Sequence, residues 1–176
     1  GSNDNSAFFC DSGGSNVNSA YFKELKNTEL VCNDDTTATT VSSKWVMQAY
    51  IKAVNNDAGD WFGLYGATVN GDTIAVGSPR EKSNQTTITN GTTASSNNSN
   101  NRSGASYVYK RSGTSWAQQA YIKAVNNNSS VDMGFGYGGA IISGDTLAVP
   151  GVYDASNQST ITNGTTASSN TSRGKS

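Results

Sequence analysis

A long internal duplication constrains this sequence more than any other feature. The segment within residues 60–79 returns within residues 132–151, where Phe62 aligns with Phe135 and Val76 with Val149, both at an offset of 73. The flanking residues 44–56 return as 115–127 at an offset of 71, which indicates a two-residue insertion before the second Phe-Gly. A duplication of this length predicts a repeat architecture, in which each unit packs against its neighbour.

The apolar pattern within each copy is that of short strands joined by tight turns. Tyr65, Ala67 and Val69 alternate with other residues, and an apolar run follows the turn residues 70–72. Asn and Gly tolerate the positive φ that hairpin turns require. The sequence predicts strands at residues 45–54, 62–69, 73–78, 105–110, 116–125, 135–142 and 146–150. Four antiparallel strands per roughly 70 residues are typical of a β-propeller blade.

Four motifs carry a resemblance to a known family: W..QAYIKA, FG.YGA, GDT.AVG.P and SGASYVY, all within residues 44–151. Together they resemble the FG-GAP repeat, the blade unit of integrin-α-like β-propellers, in its bacterial surface or secreted form. The resemblance implies an extracellular or cell-surface propeller with a structural or adhesive role. The family's DxDxDG calcium loop is reduced here to residues 70–72 and 143–145, which offer too few oxygen ligands for calcium. Calcium binding is therefore not expected at these turns.

The expected fold is all-β, with residues 44–114 and 115–176 as two repeats of four-stranded antiparallel blades. Residues 19–24 are similar to 105–111, which predicts a further blade strand near residues 20–25. The chain then carries about two blades, whereas a closed propeller needs at least about four. Copies of the chain joined head to tail, or further chain, would complete the ring or extend a filament. The alternative is a compact β-sandwich or barrel built from the two repeats.

Residues 1–43 form an N-terminal extension that contains both cysteines, Cys10 and Cys32. A disulfide between them is the preferred interpretation, because a bond suits an extension of an extracellular protein. Two free, buried thiols and a lipidated Cys10 are the alternatives. The chain has no histidine and no second cysteine pair, so a zinc site is not expected.

Two Thr-rich insertions, residues 83–97 and 156–170, differ only at Thr86 and Ser159. Asn-Gly at their centres predicts a hairpin in which Thr89 faces Thr92. The sequence allows three interpretations of these insertions: a solvated loop, a glycan-binding ribbon, or a contact between subunits. The candidate contact residues are Thr87, Thr89, Thr92, Thr160, Thr162 and Thr165.

Composition and motifs argue against an enzyme. The net charge is −1 and charged residues make up 14%, which gives no footprint for nucleic acid. No apolar run approaches a membrane span. The absence of histidine removes the commonest general base. Three carboxylates precede the Phe-Gly segments: Asp57, Asp60 and Asp132. They are interpreted as loop-capping residues, and the alternative is a weak calcium site. Glu81 and Asp154 are interpreted as solvated loop residues.

Sequons for N-glycosylation are frequent in the loops, and they matter if the source glycosylates secreted proteins. Those in the Thr-rich insertions are at Asn84, Asn90, Asn157 and Asn163. The function expected from the sequence is a non-enzymatic extracellular structural or adhesive module, whose partners are copies of itself, the rest of a longer chain, or a surface ligand. The alternative is a module that binds glycan or a cation through the propeller face or the Thr-rich loops.

Overall fold

The computed structural model describes residues 47–127, 133–154, 156 and 158–167 in full, and the backbone alone of residues 31–32 and 38–39. The chain divides into two compact units, Gly1–Gln48 and Ala49–Ser176. In the first unit, β1 (Val31–Cys32) pairs antiparallel with β2 (Ala38–Thr39). Cys10, the side chain of Cys32 and the strand predicted near residues 20–25 lie outside the described residues, so the disulfide stays a prediction.

The second unit is built on one antiparallel sheet of five strands. Its strands are β3 (Ala67–Asn70), β4 (Thr73–Ser78), β5 (Ile88–Asn90), β6 (Ala105–Ser112) and β7 (Ser115–Ile122). The strand order β3-β4-β6-β7-β5 contains an up-and-down run of the four strands expected for one repeat, with β5 added at the far edge. The described part of the chain is therefore all-β and antiparallel, and it contains no helix.

Aromatic side chains from neighbouring strands form the core of this sheet. Tyr107 of β6 and Tyr121 of β7 face each other in the ladder and are fully buried, with ring centroids 5.3 Å apart. Phe62 packs edge-on against Tyr107 at 5.4 Å. The Phe of the Phe-Gly motif is therefore a core residue that covers one face of the repeat's sheet.

Several predicted strands are shorter in the structure, and one is not formed. Residues 73–78 and 105–110 are strands as predicted. Residues 62–65 instead form a turn, because Gly63 and Gly66 adopt positive φ and leave the extended conformation. The prediction of a strand over 45–54 is wrong for residues 47–54, which form no strand; of these, only Ala53 and Ile51 pack in the core. Residues 45 and 46 lie outside the described part.

The Thr-rich hairpin is also wrong in the first copy. Thr89 does not face Thr92, because β5 pairs with β7, opposing Thr89 to Tyr121. The N–H of Gly91 donates to the Gln119 carbonyl at 2.7 Å, and Gln118 Nε2 donates to the Thr93 carbonyl at 2.9 Å. Pairing with the longer strand β7 thus replaces the local ribbon.

The second copy repeats the local geometry of the first. Gly63 N–H donates to the Gly77 carbonyl at 2.9 Å, and its counterpart Gly136 donates to the Pro150 carbonyl at 2.7 Å. Strands β8 (Ile141–Ser143) and β9 (Thr146–Ala148) form a two-stranded antiparallel sheet that corresponds to β3 and β4. They are shorter than the predicted strands at 135–142 and 146–150. Neither a closed barrel nor a closed propeller is formed by the described residues.

Close backbone contact joins the second Phe-Gly segment to the first repeat's sheet. Gly104 and Phe135 form a parallel bridge. A Cβ built on Gly77 would lie 2.3 Å from the Gly136 carbonyl oxygen, so glycine is required for this approach. Thr68 Oγ1 also donates to the Ala140 carbonyl at 2.6 Å.

Candidate functional site

A buried lysine and glutamate form the most unusual polar cluster of the second unit. Lys123 follows β7, and Glu81 lies in the loop after β4. The Glu81 carbonyl accepts hydrogen bonds from the residues just before β6. Lys123 Nζ lies 2.6 Å from Glu81 Oε2, and the two side chains are 0% and 2% exposed. Lys123 Nζ also donates to Ser103 Oγ at 2.7 Å. A fully buried ion pair is expensive to desolvate, so the surrounding hydrogen bonds are essential to it.

Asn55 and Tyr107 complete this cluster on the side of the other carboxylate oxygen. Asn55 Nδ2 donates to Glu81 Oε1 at 3.1 Å, and Tyr107 Oη donates to Asn55 Oδ1 at 2.7 Å. The N–H of Ser83 donates to the same Oε1 at 3.0 Å. We call Lys123, Glu81, Asn55 and Tyr107 the amine–amide cluster.

Burial shifts the protonation equilibria of this cluster toward neutral groups. Loss of solvation raises the pKa of Glu81, and the nearby Lys123 charge opposes that rise in part. Loss of solvation likewise lowers the pKa of Lys123 against the attraction of Glu81. The two shifts act together to make transfer of a proton from the ammonium to the carboxylate easier than in water.

The second repeat reproduces the acid and the amide of this cluster. Asp154 is the counterpart of Glu81, and Asn126 is the counterpart of Asn55. Asn126 Nδ2 donates to Asp154 Oδ2 at 3.1 Å, as Asn55 does to Glu81. Asp154 is exposed, and among the described residues no lysine lies against it. Lys52, the counterpart of Lys123, is exposed at the start of the same unit.

The strand next to the lysine shows the same difference between copies. Tyr121 is 0% exposed, whereas its counterpart Tyr50 is 80% exposed. Ile88 pairs with Ile122 in the sheet and is 59% exposed, whereas its counterpart Ile161 is 92% exposed. Within the described residues, β7 therefore makes its contact with the first Thr-rich insertion. The counterparts of the two partners, Tyr50 and Ile161, are both exposed.

The candidate threonines are mostly exposed in both insertions. Gln85 Nε2 donates to the Thr87 carbonyl and to Thr89 Oγ1, and Gln158 makes the same two bonds to Thr160 and Thr162. Thr92 and Thr165 are exposed. The two insertions thus share a local structure where the structure describes both.

The candidate sequon asparagines are accessible where the structure describes them. Asn84, Asn90 and Asn163 are exposed, and Asn157 lies outside the described residues. Glycosylation at these positions stays a prediction.

Two of the three candidate calcium ligands meet in one loop. The Asp57 N–H donates to Asp60 Oδ2 at 3.1 Å, and Lys82 Nζ lies 3.7 Å from Asp60 Oδ1. Burial raises the pKa of Asp60. Asp132 lies outside the described residues, within which no group of three acidic or cysteine side chains is placed to hold a metal ion. The Asp57–Asp60 contact caps its own turn.

Sequence reasoning missed the amine–amide cluster. Glu81 is buried instead of solvated, because it pairs with the buried Lys123, which follows β7. A lysine retained in both QAYIKA segments, together with an acid retained at 81 and 154, could have pointed to a pair. The long separation of Glu81 and Lys123 in the sequence hid it.

Comparison with known proteins finds no matching protein family, no similar curated protein and no similar solved structure. The resemblance to FG-GAP repeats therefore stays a prediction. No helix in the described ranges is long and apolar enough to cross a membrane.

Proposed function

We propose that this protein is a non-enzymatic extracellular module with a structural or adhesive role, whose copies join head to tail in a surface assembly of propeller-type repeats. The observation that carries the proposal is the half-complete contact at Asp154. Asp154 and Asn126 are arranged like Glu81 and Asn55, yet within the described part of the chain Asp154 lacks the lysine that Glu81 has.

A second copy of the chain offers the complementary half. Its Lys52 is exposed, and Lys52 stands in its repeat where Lys123 stands in the next. Using the internal contact as the template, Lys52 of one copy pairs with Asp154 of another. The same template places Tyr50 of one copy opposite Thr162 of the other, as Tyr121 lies opposite Thr89 within one chain.

The edge of the small sheet supports the same joint. β4 pairs with both β3 and β6, whereas its counterpart β9 pairs with β8 alone among the described residues. An exposed strand edge favours addition of a further strand. For this addition the second copy offers residues 20–25, where a strand is expected, and residues 49–54, which form no strand in the described chain. In the sequence repeat they are the counterparts of β6 and of residues 120–125. Strand addition with a buried ion pair makes the joint both stable and specific.

Sedimentation velocity of the 176-residue chain over a range of concentrations tests the proposal. We expect self-association that Asp154→Lys abolishes, because breaking a buried ion pair costs about 3–5 kcal/mol and the new lysine adds repulsion. The double variant Lys52→Glu with Asp154→Lys restores a pair of opposite charges and should restore association. Asp145→Lys is the matched control, since Asp145 lies exposed in the β8–β9 turn and has the same charge. A wild-type chain that stays monomeric, or equal effects of the two aspartate changes, would refute the proposed joint.

The extracellular location rests on the FG-GAP resemblance and on the exposed sequons. Protease treatment of intact cells that express the protein from its native source checks it. Digestion of the protein without cell lysis is the expected result, and protection until lysis would contradict it.

A further inference from the structure

The amine–amide cluster holds an amine and a side-chain amide on one carboxylate. Lys123 Nζ binds Glu81 Oε2 at 2.6 Å, and Asn55 Nδ2 binds Oε1 of the same group at 3.1 Å. The amine and the amide are therefore held as neighbours on the two oxygens of one carboxylate. Fixing two reactants in this way converts their encounter into a step within one molecule.

The amide carbonyl is also polarised. Tyr107 Oη donates to Asn55 Oδ1 at 2.7 Å, and Tyr107 is fully buried. A donor at this oxygen stabilises negative charge that develops there when a nucleophile adds to the carbon. The burial of Lys123, Glu81 and Tyr107 excludes water, which would otherwise solvate the amine and compete with it.

We propose that Lys123 and Asn55 become joined by an isopeptide bond in the folded chain, with release of one molecule of ammonia. Glu81 carries the protons of this reaction, and Tyr107 stabilises the oxyanion. The bond requires no second copy of the chain, because all four residues belong to one unit of one chain.

The reaction balances without an oxidant or a second substrate. The Lys123 ammonium first gives a proton to Glu81, which leaves a neutral amine and a carboxylic acid. The amine lone pair then forms a bond to Asn55 Cγ, and the carbonyl electrons move to Oδ1. The acid of Glu81 protonates Nδ2, and the Oδ1 electrons re-form the carbonyl as the Cγ–Nδ2 bond breaks and its electron pair leaves with ammonia. The carboxylate of Glu81 then takes the extra proton from the new amide nitrogen. That proton passes to the departing ammonia or to solvent, and Glu81 ends unchanged.

Burial of the cluster favours the first proton transfer, from Lys123 to Glu81. Desolvation lowers the pKa of Lys123 and raises that of Glu81, so the proton transfer that frees the amine is made easier by burial. A neutral lysine is the form that acts as a nucleophile. A carboxyl group that exchanges protons with both the attacking and the leaving nitrogen fills the role of general acid and base.

The environment selects Asn55 over the other asparagines nearby. Asn127 Nδ2 donates to the backbone carbonyls of Ser83 and Gln85, so it faces no acid. Asn126 in the second repeat faces Asp154, but no lysine lies against that pair among the described residues. The described residues therefore provide an internal comparison, in which a described lysine lies against Glu81 but none lies against Asp154.

Intact mass of the wild-type chain, expressed in a bacterial cytoplasm and measured after denaturation, tests the inference. The expected mass is that of the sequence less one ammonia. Trypsin cuts after Lys52 and Arg80 and after Arg111 and Arg173, and a modified Lys123 resists cleavage. We therefore expect one branched peptide that joins residues 53–80 to residues 112–173. A wild-type mass equal to that of the sequence overturns the proposal, and so does ammonia loss located at any other residue.

Three variants assign the roles. Lys123→Met and Glu81→Gln should each have the full mass of their own sequence, because one lacks the amine and the other lacks the proton carrier. Tyr107→Phe should form the bond more slowly and not abolish it. As a control, Lys110→Gln alters an exposed lysine and should keep the full ammonia loss. Bond formation at a wild-type rate in Glu81→Gln would refute the mechanism. The wild-type mass decides the proposal whether or not a variant folds.

Discussion

Trp61 adopts a left-handed backbone conformation, with φ of 61°, which is rare for a large side chain. Its counterpart in the second repeat is Gly134, with φ of 55°. The repeat thus keeps the backbone conformation while the residue changes. The Arg80 guanidinium lies 3.0 Å from the centre of the Trp61 ring, and this stacking offsets the strain of the backbone.

Replacement of Trp61 separates the strain from the stacking. Trp61→Ala and Trp61→Gly both lose the contact with Arg80, but glycine avoids a left-handed cost of roughly 1–2 kcal/mol. Glycine also loses about 0.4–1 kcal/mol through its freer unfolded chain. We expect the glycine variant to be the more stable by about 0.5–1 kcal/mol in urea denaturation. A more stable alanine variant would show that position 61 is not strained.

Three buried tyrosines predict alkaline unfolding. Burial raises the pKa of Tyr107, Tyr109 and Tyr121 above the ordinary value of 10.0. The stability associated with these raised values is full below about pH 10 and falls as the pH rises further, because the unfolded chain then releases protons that the folded chain retains. Lys123 acts in the opposite sense, but its contribution is complete above the ordinary lysine pKa of about 10.4.

Urea denaturation at several pH values on either side of about pH 10 measures this effect. We expect the free energy of unfolding to fall steeply above that pH. Tyr109→Phe should reduce the slope by one proton relative to the wild-type chain. Equal slopes for the two chains would contradict the assignment.

At the level of strands and turns, the sequence predicted what local chemistry determines. The Gly-Asp turns, β4 and β6 are where alternation and turn residues placed them, and the two repeats share their glycine conformations. What the sequence did not reveal depends on partners far along the chain. Ile88 and Thr89 leave the expected hairpin because β7 offers a longer edge, and Glu81 is buried by Lys123. Single-residue patterns carry no information about such pairings.

The two Thr-rich insertions provide a direct test of that competition. Their sequences are nearly identical, so the intrinsic exchange rates of their amides are nearly equal. We expect slower hydrogen exchange at Ile88–Asn90, which pairs with β7, than at residues 161–163 in dilute protein. Self-association through the proposed joint should then slow exchange at 161–163. Equal protection in dilute protein would show that β5 does not pair stably.

The close approach of the second Phe-Gly segment to β4 predicts a sensitive glycine. Gly77→Ala places a Cβ 2.3 Å from the Gly136 carbonyl oxygen, and backbone atoms must move. We expect a loss of about 1–3 kcal/mol in urea denaturation. Gly151→Ala is the matched control, because its Cβ meets Phe135 at an ordinary 3.9 Å and its φ is not positive. A change within about 0.5 kcal/mol is expected there, and similar losses in both variants would contradict the contact.

At the scale of the whole molecule, the proposed joint uses different exposed segments of the chain: Tyr50 and Lys52 from one copy, Asp154 and Ile161 from another. A contact between unlike surfaces is heterologous, so it propagates into a ring or a filament and does not stop at a dimer. An isologous contact would end at two copies. The charge-swapped variants distinguish these two outcomes.

An equal mixture of two single variants, Asp154→Lys and Lys52→Glu, tests the direction of the joint. Each variant should be monomeric alone. Asp154→Lys opposes Lys52 of the next copy with a like charge, and Lys52→Glu does the same to Asp154. In an equal mixture, the lysine introduced at position 154 meets the glutamate introduced at position 52. The native Asp154 of the second variant likewise meets the native Lys52 of the first, so every joint between unlike variants has opposite charges. We expect assemblies of alternating variants that grow beyond two copies, measured by sedimentation velocity and by mass photometry. A mixture that stops at a heterodimer would mean that the joint is isologous, and a mixture that stays monomeric would remove Lys52 and Asp154 from the joint.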